Sequence, residues 1–456
     1  MRASRRHILG GGAALLAFSG LARHARAQVT DPYRNEIPGY GPLVADPEGL
    51  FDLPEGFSYR VISQAGQTMD DGLIVPGKFD GMGCFPGDGN TVILVRNHEV
   101  KLRHTDLGPT GIGHQLRAQL DPAKVYDTYE DGRPLGGGTT TVIYDLAQQR
   151  VVRQFLSLTG TSTNCAGGIT PWGSWLSCEE THTRAGEGVH RDHGWVFEVP
   201  SRATGLVDPV PLTAMGRFEH EAACVDPRTG YVYLTEDRDD AVLYRFVPNT
   251  PGHLSEGGRL SAMAVASRSG ADLRNWERPF WEQGEESLVR WVPLDNVESP
   301  EDDLRHRAHA AGAALLARSE GITWGDDGLY VACTGGGVRR FGQIIRVLPG
   351  VGDDPCRAEL FYESQDDQAY DYGDNLTVAP WGHLLVCEDR YSAEINHLRG
   401  ISPAGQAYTI ARNVHAANGE LCGVCVSPDG STVFVNIQDP GLTLAITGPW
   451  RSLSPP

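Results

Sequence analysis

Apolar and polar residues alternate along this chain in short runs, and each run starts from a cluster of proline, aspartate and glycine. "STVFVNI" (Ser431–Ile437) follows "SPDG", "YVYLTE" (Tyr231–Glu236) follows "DPRTG", and "HLLVCE" (His383–Glu388) follows "PWG". A period of two is the signature of a half-buried strand, and the Pro/Asp/Gly clusters supply the backbone angles of tight turns. Each turn is preceded by another short apolar run, so the unit is strand–turn–strand. Six copies can be laid over one another: Asp80–Glu99, Asn164–Glu180, Glu219–Arg238, Arg318–Thr334, Asp374–Arg390 and Gly419–Asp439. Between them lie further strand candidates such as "TTTVIYDL", "GWVFEVP" and "AVLYRFVP".

Six repeats of a four-stranded unit predict an all-β fold, a six-bladed β-propeller, because radial repetition covers the sheet faces and protects their edges. The copies are unevenly spaced, so loop and helical insertions are expected at about 103–134 and 269–317. The second insertion predicts one helix, with Ser299 as N-cap, Pro300 in its first turn and "LRHRAHAAGAALLA" as its body.

With 58 Asp and Glu against 39 Lys and Arg, the chain carries a formal charge of −19. That balance excludes the basic surfaces that bind nucleic acid or anionic membranes. The first 27 residues predict an export leader. "SRRHIL" holds paired Arg5 and Arg6, a Gly/Ala-rich apolar run too short to span a bilayer follows, and Ala25-Arg26-Ala27 offers a cleavage site. The expectation is export by the twin-arginine (Tat) machinery, followed by a single domain over 28–456 that is periplasmic or secreted and not membrane-bound. Without the leader's five arginines the balance becomes 58 acids against 34 bases, about −24.

The nine cysteines are odd in number and irregularly spaced, which argues against a disulfide framework. Cys178, Cys333 and Cys387 recur at one place in the repeat and read as small core residues. The pair in "CGVC" (Cys422–Cys425) reads as strand packing.

The acids recur in register. Counting six residues back from the turn proline, or from Trp324 in the fourth copy, gives Asp80, Cys165, Glu221, Arg318, Asp374 and Cys422. Glu219, Glu320 and Glu420 lie beside them. The second strands end in Glu179-Glu180, Glu236-Asp237 and Glu388-Asp389. In a propeller these positions converge on the central channel, where many carboxylates repel one another unless cations neutralise them. Carboxylates suit calcium, whereas the thiol of Cys165 suits a transition metal.

The twin-arginine leader, "RNHE", "GGTTT", "GTSTNCAGGITPWGSWLSCEE", "HGWVFEV", "EHEA", "EGITW" and "DNL…CEDR" together resemble the PhoX family of secreted alkaline phosphatases, from about residue 50 to the C-terminus. The resemblance implies a propeller holding two ferric irons and three calcium ions joined through an oxo bridge, with a small phosphate monoester as substrate. It implies that Cys165 is an iron ligand, that Glu180, Glu221 and Glu320 bind metal, and that Arg318 holds the phosphate. Glu236, Asp237, Asp374, Glu388 and Asp389 would then share the calcium sites. The chain departs from the family in being compact and in lacking a lysine shortly before the cysteine motif, where "RQFLSLTGTST" stands. Arg153, Arg238 and Arg390 are the candidates to replace it. Two other readings fit the repeats alone: a calcium-dependent lactonase or phosphotriesterase, and a non-catalytic secreted binding propeller.

Overall fold

Each of the six repeats folds as an antiparallel hairpin. The hairpins are β1 (Phe79–Pro86) with β2 (Thr91–His98), β3 (Asn164–Ile169) with β4 (Ser174–Glu179), and β5 (His220–Val225) with β6 (Val232–Glu236). They continue with β7 (Ser319–Trp324) and β8 (Leu329–Cys333), β9 (Gly373–Val378) and β10 (Leu384–Glu388), and β11 (Leu421–Val426) and β12 (Thr432–Ile437). The computed structural model describes residues 32–350, 355–390 and 395–453, so the leader expected at 1–27 lies outside the described residues.

The odd-numbered strands pack side by side in the order β1, β3, β5, β7, β9, β11 and back to β1. The result is an all-β, propeller-like arrangement around one central channel. Backbones approach closely there. A Cβ on Gly321 would lie 2.4 Å from the carbonyl oxygen of Asp374 on the next strand, and one on Gly423 would lie 2.4 Å from that of Asp80. Only glycine allows such contact.

Among the described residues the hydrogen-bonded sheets number five, not six. Two units are fused, because strand Glu286–Pro293 pairs with strand Arg357–Glu363 of the following unit and makes a sheet of nine strands. That strand lies inside the segment expected as an insertion at 269–317. The unit around β3 has three strands, ending in Val196–Pro200. The last sheet takes its outermost strand, Ser58–Gln64, from near the start of the described chain, paired with Leu442–Thr447. The apolar faces of neighbouring sheets form the core, in which Cys178, Cys333 and Cys387 are fully buried.

The predicted helix is shorter than its sequence pattern. Helix α1 covers only Leu304–Ala310, and Asp303, not Ser299, is its N-cap. It ends because Gly312 takes a φ of +103°. Beyond it Ala314 and Leu316 donate to the carbonyls of Met263 and Ala241, so tertiary pairing overrides helix propensity. The helical elements of the 103–134 segment are 3-10 turns at Ile112–His114, Arg117–Gln119 and Pro122–Lys124, and isolated bridges pair Thr128 with Pro134 and Tyr129 with Val189. No helix among the described residues is long and apolar enough to cross a membrane.

Candidate metal centre

Every hairpin carries a register shift near the start of its first strand: Phe79/Met82, Asn164/Gly167, His220/Ala223, Ser319/Ile322, Gly373/Leu376 and Cys422/Cys425. A bulge re-aims the side chain beside it. In the first five hairpins that residue is Asp80, Cys165, Glu221, Glu320 and Asp374. The pairing corrects the sequence alignment of the fourth copy. Ser319 opposes Cys333 as Phe79 opposes His98, so Glu320 takes the place that spacing had given to Arg318. Arg318 stands two residues earlier, outside β7, at a φ of +47°. From β11, Cys422 joins the set. Its Sγ and a carboxylate oxygen each of Asp80 and Glu420 lie within 4.8 Å of one another. Cys422 thus stands beside this acidic group, while Cys425, three residues on, packs in the core.

A second set comes from the residues just past the even-numbered strands: Glu99, Glu180, Asp237, Asp389 and Gln438. These line the same cavity of about 220 Å³. Strand alternation separates each acidic doublet, because consecutive side chains point to opposite faces. The second acid faces the cavity and the first does not. Glu179 accepts from His193 Nδ1 at 2.7 Å and from the Gly194 and Trp195 amides. Glu236 accepts from Tyr244 Oη at 2.9 Å and lies 3.4 Å from Arg305 Nη1. Glu388 accepts from Arg399 Nε at 2.6 Å and pairs with His397 Nδ1 at 3.0 Å. Glu236 and Glu388, expected among the ligands, are therefore turned away from the cavity, each with its own basic partner.

The remaining predicted residues converge. Cys165 Sγ lies 3.0 Å from Glu221 Oε1, and Cys165, Glu180 and Glu221 bring ligand atoms within 4.8 Å of one another. Glu320, Asp237, Asp374 and Asp389 line the same cavity. Arg318 donates from Nε and Nη2 to Asp237 at 2.8 and 3.0 Å, and its Nη2 lies 2.8 Å from Glu320 Oε1.

Eight carboxylates face four Lys and Arg side chains here, so full ionisation of the acids would leave an uncompensated negative charge. Burial, and then the neighbouring acids, push Asp80, Glu180, Glu221, Glu320 and Glu420 well above the usual carboxylate range. Asp374 is raised to about 7, by burial and then by Asp389. Burial also raises the Cys165 thiol, with Asp80 and Glu221 adding to it. The Gln438 amide shows the same demand for positive charge. Its Nε2 reaches carboxylate oxygens of Asp80 at 3.1 Å and Glu99 at 2.9 Å, and that of Glu420 as well. Two N–H groups cannot serve three acids. A dense oxygen set with one or two thiols fits hard cations beside a transition metal.

Sequence reasoning missed Glu99, Gln438 and the cations of the first repeat. Lys78 bonds Asp439 at 2.5 Å, Lys101 bonds Glu99 at 2.6 Å, and Arg103 and His104 complete that wall. Lys101 supplies a lysine after β2, not before the cysteine motif. None of the three arginines considered as substitutes lines the cavity. Arg153 stacks on Phe155, Arg238 bonds Glu219 at 2.7 Å, and Arg390 bonds Asp371 at 2.9 Å. A larger cavity of about 380 Å³ sits on the inner strands but is lined mainly by glycines, aliphatic residues and Trp175 and Trp324, with no acid or base.

A model of the family described as "Alkaline phosphatase PhoX" matches residues 38–441. No curated protein matches the chain by sequence. Among solved structures, that of Pseudomonas fluorescens PhoX in complex with vanadate, described there as a transition-state analogue, is similar in fold. It is 19% identical with a TM-score of 0.65, covering 91% of this chain and 98% of that one. A luciferin-regenerating enzyme aligns at 10% identity over 86% of this chain and 96% of its own, with a TM-score of 0.43. The gluconolactonase XC5397 of Xanthomonas campestris aligns at 13% identity over 86% and 100%, with a TM-score of 0.33.

Proposed function

The chain belongs to the PhoX family of alkaline phosphatases, and we propose that it hydrolyses small phosphate monoesters in the acid-lined cavity, with Fe(3+) and Ca(2+) held there. One observation carries this reading: eight carboxylates and the Cys165 thiol converge on one cavity with Arg318 among them. Cys165, Glu180 and Glu221 would form the iron-binding group. Glu320, Asp237, Asp374 and Asp389, with Glu99, Glu420 and Asp80, would share the remaining positions. Glu236 and Glu388 are left out of the ligand set. When bound, such ions supply positive charge that offsets the phosphate dianion, and Lewis-acid activation of the attacking water.

The protein's own part is positioning. Asp237 takes the Nε and Nη2 edge of the Arg318 guanidinium and Glu320 lies against Nη2, so the group is held in place before a phosphate arrives. Lys101 adds a second cation to the wall of the cavity.

The architecture is read as a six-bladed propeller. Six hairpins in ring order support this, with the nine-stranded sheet counted as two blades joined edge to edge and the three-stranded sheet as a short blade. The mature protein is read as one domain over 28–456, released by the Tat machinery into the periplasm or medium after loss of residues 1–27. "SRRHIL" and the A-x-A site support that reading.

Elemental analysis with two variants tests the metal assignment. Wild-type protein should carry iron and calcium and hydrolyse an aryl phosphate at alkaline pH. Cys165→Ser should lose iron and the thiolate-to-iron visible absorption, while Cys387→Ser, buried in the core, should keep both. Iron retained in both variants would make Cys165 a packing residue. Calcium alone, with lactone hydrolysis and no phosphatase activity, would favour the lactonase reading.

A further inference from the structure

We propose that Arg103 makes this cavity selective for phosphate monoesters whose leaving group carries a second negative charge, by pairing with that charge at the rim. The inference rests on the phosphatase reading above.

The segment after β2 is built to hold one residue in place. The Glu99 amide donates to the Lys78 carbonyl at 2.8 Å, and the Thr163 amide to the Val100 carbonyl at 3.2 Å. The His104 amide donates to the Lys101 carbonyl at 2.8 Å, which closes a turn over Lys101–His104. Tyr129 Oη donates to the Leu102 carbonyl at 2.8 Å and ties that turn to the 103–134 segment. Arg103 occupies the third position of the turn. It is exposed, yet lines the acidic cavity together with Lys101 and His104.

The other Lys and Arg side chains of the cavity are paired: Lys78 with Asp439, Lys101 with Glu99, and Arg318 with Asp237 and Glu320. Among the described residues, Arg103 makes no hydrogen bond and no ion pair, although acids outnumber bases around it by eight to four. Next to it, His104 Nδ1 is buried without a hydrogen-bond partner. The wall that carries this turn therefore has unspent capacity to bind a polar group.

Ring order sets the direction. The β1–β2 hairpin and β7 are three strands apart in a ring of six, so the Arg103 turn stands across the channel from Arg318. A phosphate held by Arg318 cannot push its substituent through the strands, so the substituent leaves by the mouth. The cation exposed on the opposite rim is Arg103. A carboxylate or second phosphate there gains a charge-assisted, bidentate partner, whereas a neutral hydroxyl gains little.

A matched pair of substrates tests this: 3-phosphoglycerate and glycerol 3-phosphate, which differ by a carboxylate in place of a hydroxymethyl group. The readout is the ratio of their kcat/KM values on the metal-loaded, full-length mature protein. Wild type should favour 3-phosphoglycerate. Arg103→Ala should lower the ratio about tenfold, the scale of one hydrogen bond to a charged group, and Arg103→Lys should keep only part of it, since an ammonium keeps the charge but lacks the fork. A ratio that Arg103→Ala does not move, or a wild type without preference, would overturn the proposal and leave Arg103 a solvated surface residue. Aryl phosphate hydrolysis by the same preparation separates the two levels. If it is present and the ratio is flat, only this inference fails. If it is absent, the phosphatase reading fails and takes this inference with it.

Discussion

Glu388 and Asp389 are neighbours in the chain, yet they serve two separate charge networks. Glu388 is fully buried and accepts from Arg399 Nε at 2.6 Å, while Asp389 opens into the acidic cavity. The same division holds for Glu179 and Glu180 and for Glu236 and Asp237. In each doublet the first acid fastens the blade and the second faces the channel.

Substitution of that pair should therefore split stability from metal content. Burial opposes ionisation of Glu388, but Arg399 and then His397 outweigh it and hold its pKa down to about 2. Its contribution to stability is thus present above its unfolded value, near 4.3, and is lost as pH falls toward 2. Glu388→Gln in metal-free protein should lower unfolding stability by about 3–5 kcal/mol, because it leaves buried Arg399 uncompensated. Asp389→Asn should leave denaturant unfolding of metal-free protein nearly unchanged and lower the calcium bound. Equal stability losses in the two variants would refute the division.

Arg318 is expected to matter for turnover. Arg318→Ala should reduce kcat/KM for an aryl phosphate by about 10²-fold, the cost of one preset donor to a developing charge. Arg318→Lys should restore only part, since an ammonium lacks the planar fork. Metal content measured on the same samples distinguishes a phosphate clamp from a strut. If the ions are lost with the activity, the bonds to Asp237 and Glu320 are its purpose.

His193 should make stability sensitive to alkaline pH. Burial works against its charge, but Glu179 and Asp127 outweigh burial and raise its pKa to about 9. The folded value exceeds the unfolded one, near 6.5. Its contribution is therefore complete below about pH 6.5 and is lost as pH rises through about 9. Thermal melts of metal-free protein from pH 6 to 10 should show this loss. His193→Gln should flatten that part of the profile, and an unchanged profile would dismiss the assignment.

Much of this site was legible as periodicity. Turn chemistry marked all six hairpins, and their equal design exposed Asp80, Cys165, Glu221 and Asp374 as one ring. Two things escaped. The fourth repeat has no proline in its turn, so counting from Trp324 slipped by two residues and put Arg318 where Glu320 stands; the register shift at Ser319/Ile322 sets the true frame. The acidic doublets hid a choice of face that depends on which strand residue pairs last, as Glu236 and Glu388 show. Lys101 and Arg103 lay just past the "RNHE" strand, in a turn whose direction only the Tyr129 anchor reveals. Fusion of two units through Glu286–Pro293 was invisible for a related reason: edge-to-edge pairing between sheets leaves no period in the sequence.

The strand Ser58–Gln64 bears on how the protein is made. It completes the sheet whose other members begin at Leu421, so the circle of strands is closed by pairing an early strand with late ones. During synthesis the first repeat emerges long before its neighbour β11 exists, and Asp80 waits for Glu420 and Cys422. The mixed oxygen and sulfur group they form is therefore assembled only once the residues of the last hairpin have been made. A chain cut short before Leu421 would lack Cys422 and the strand that pairs with Ser58–Gln64 together, so truncation there removes one wall of the acidic group and the closing sheet in a single step.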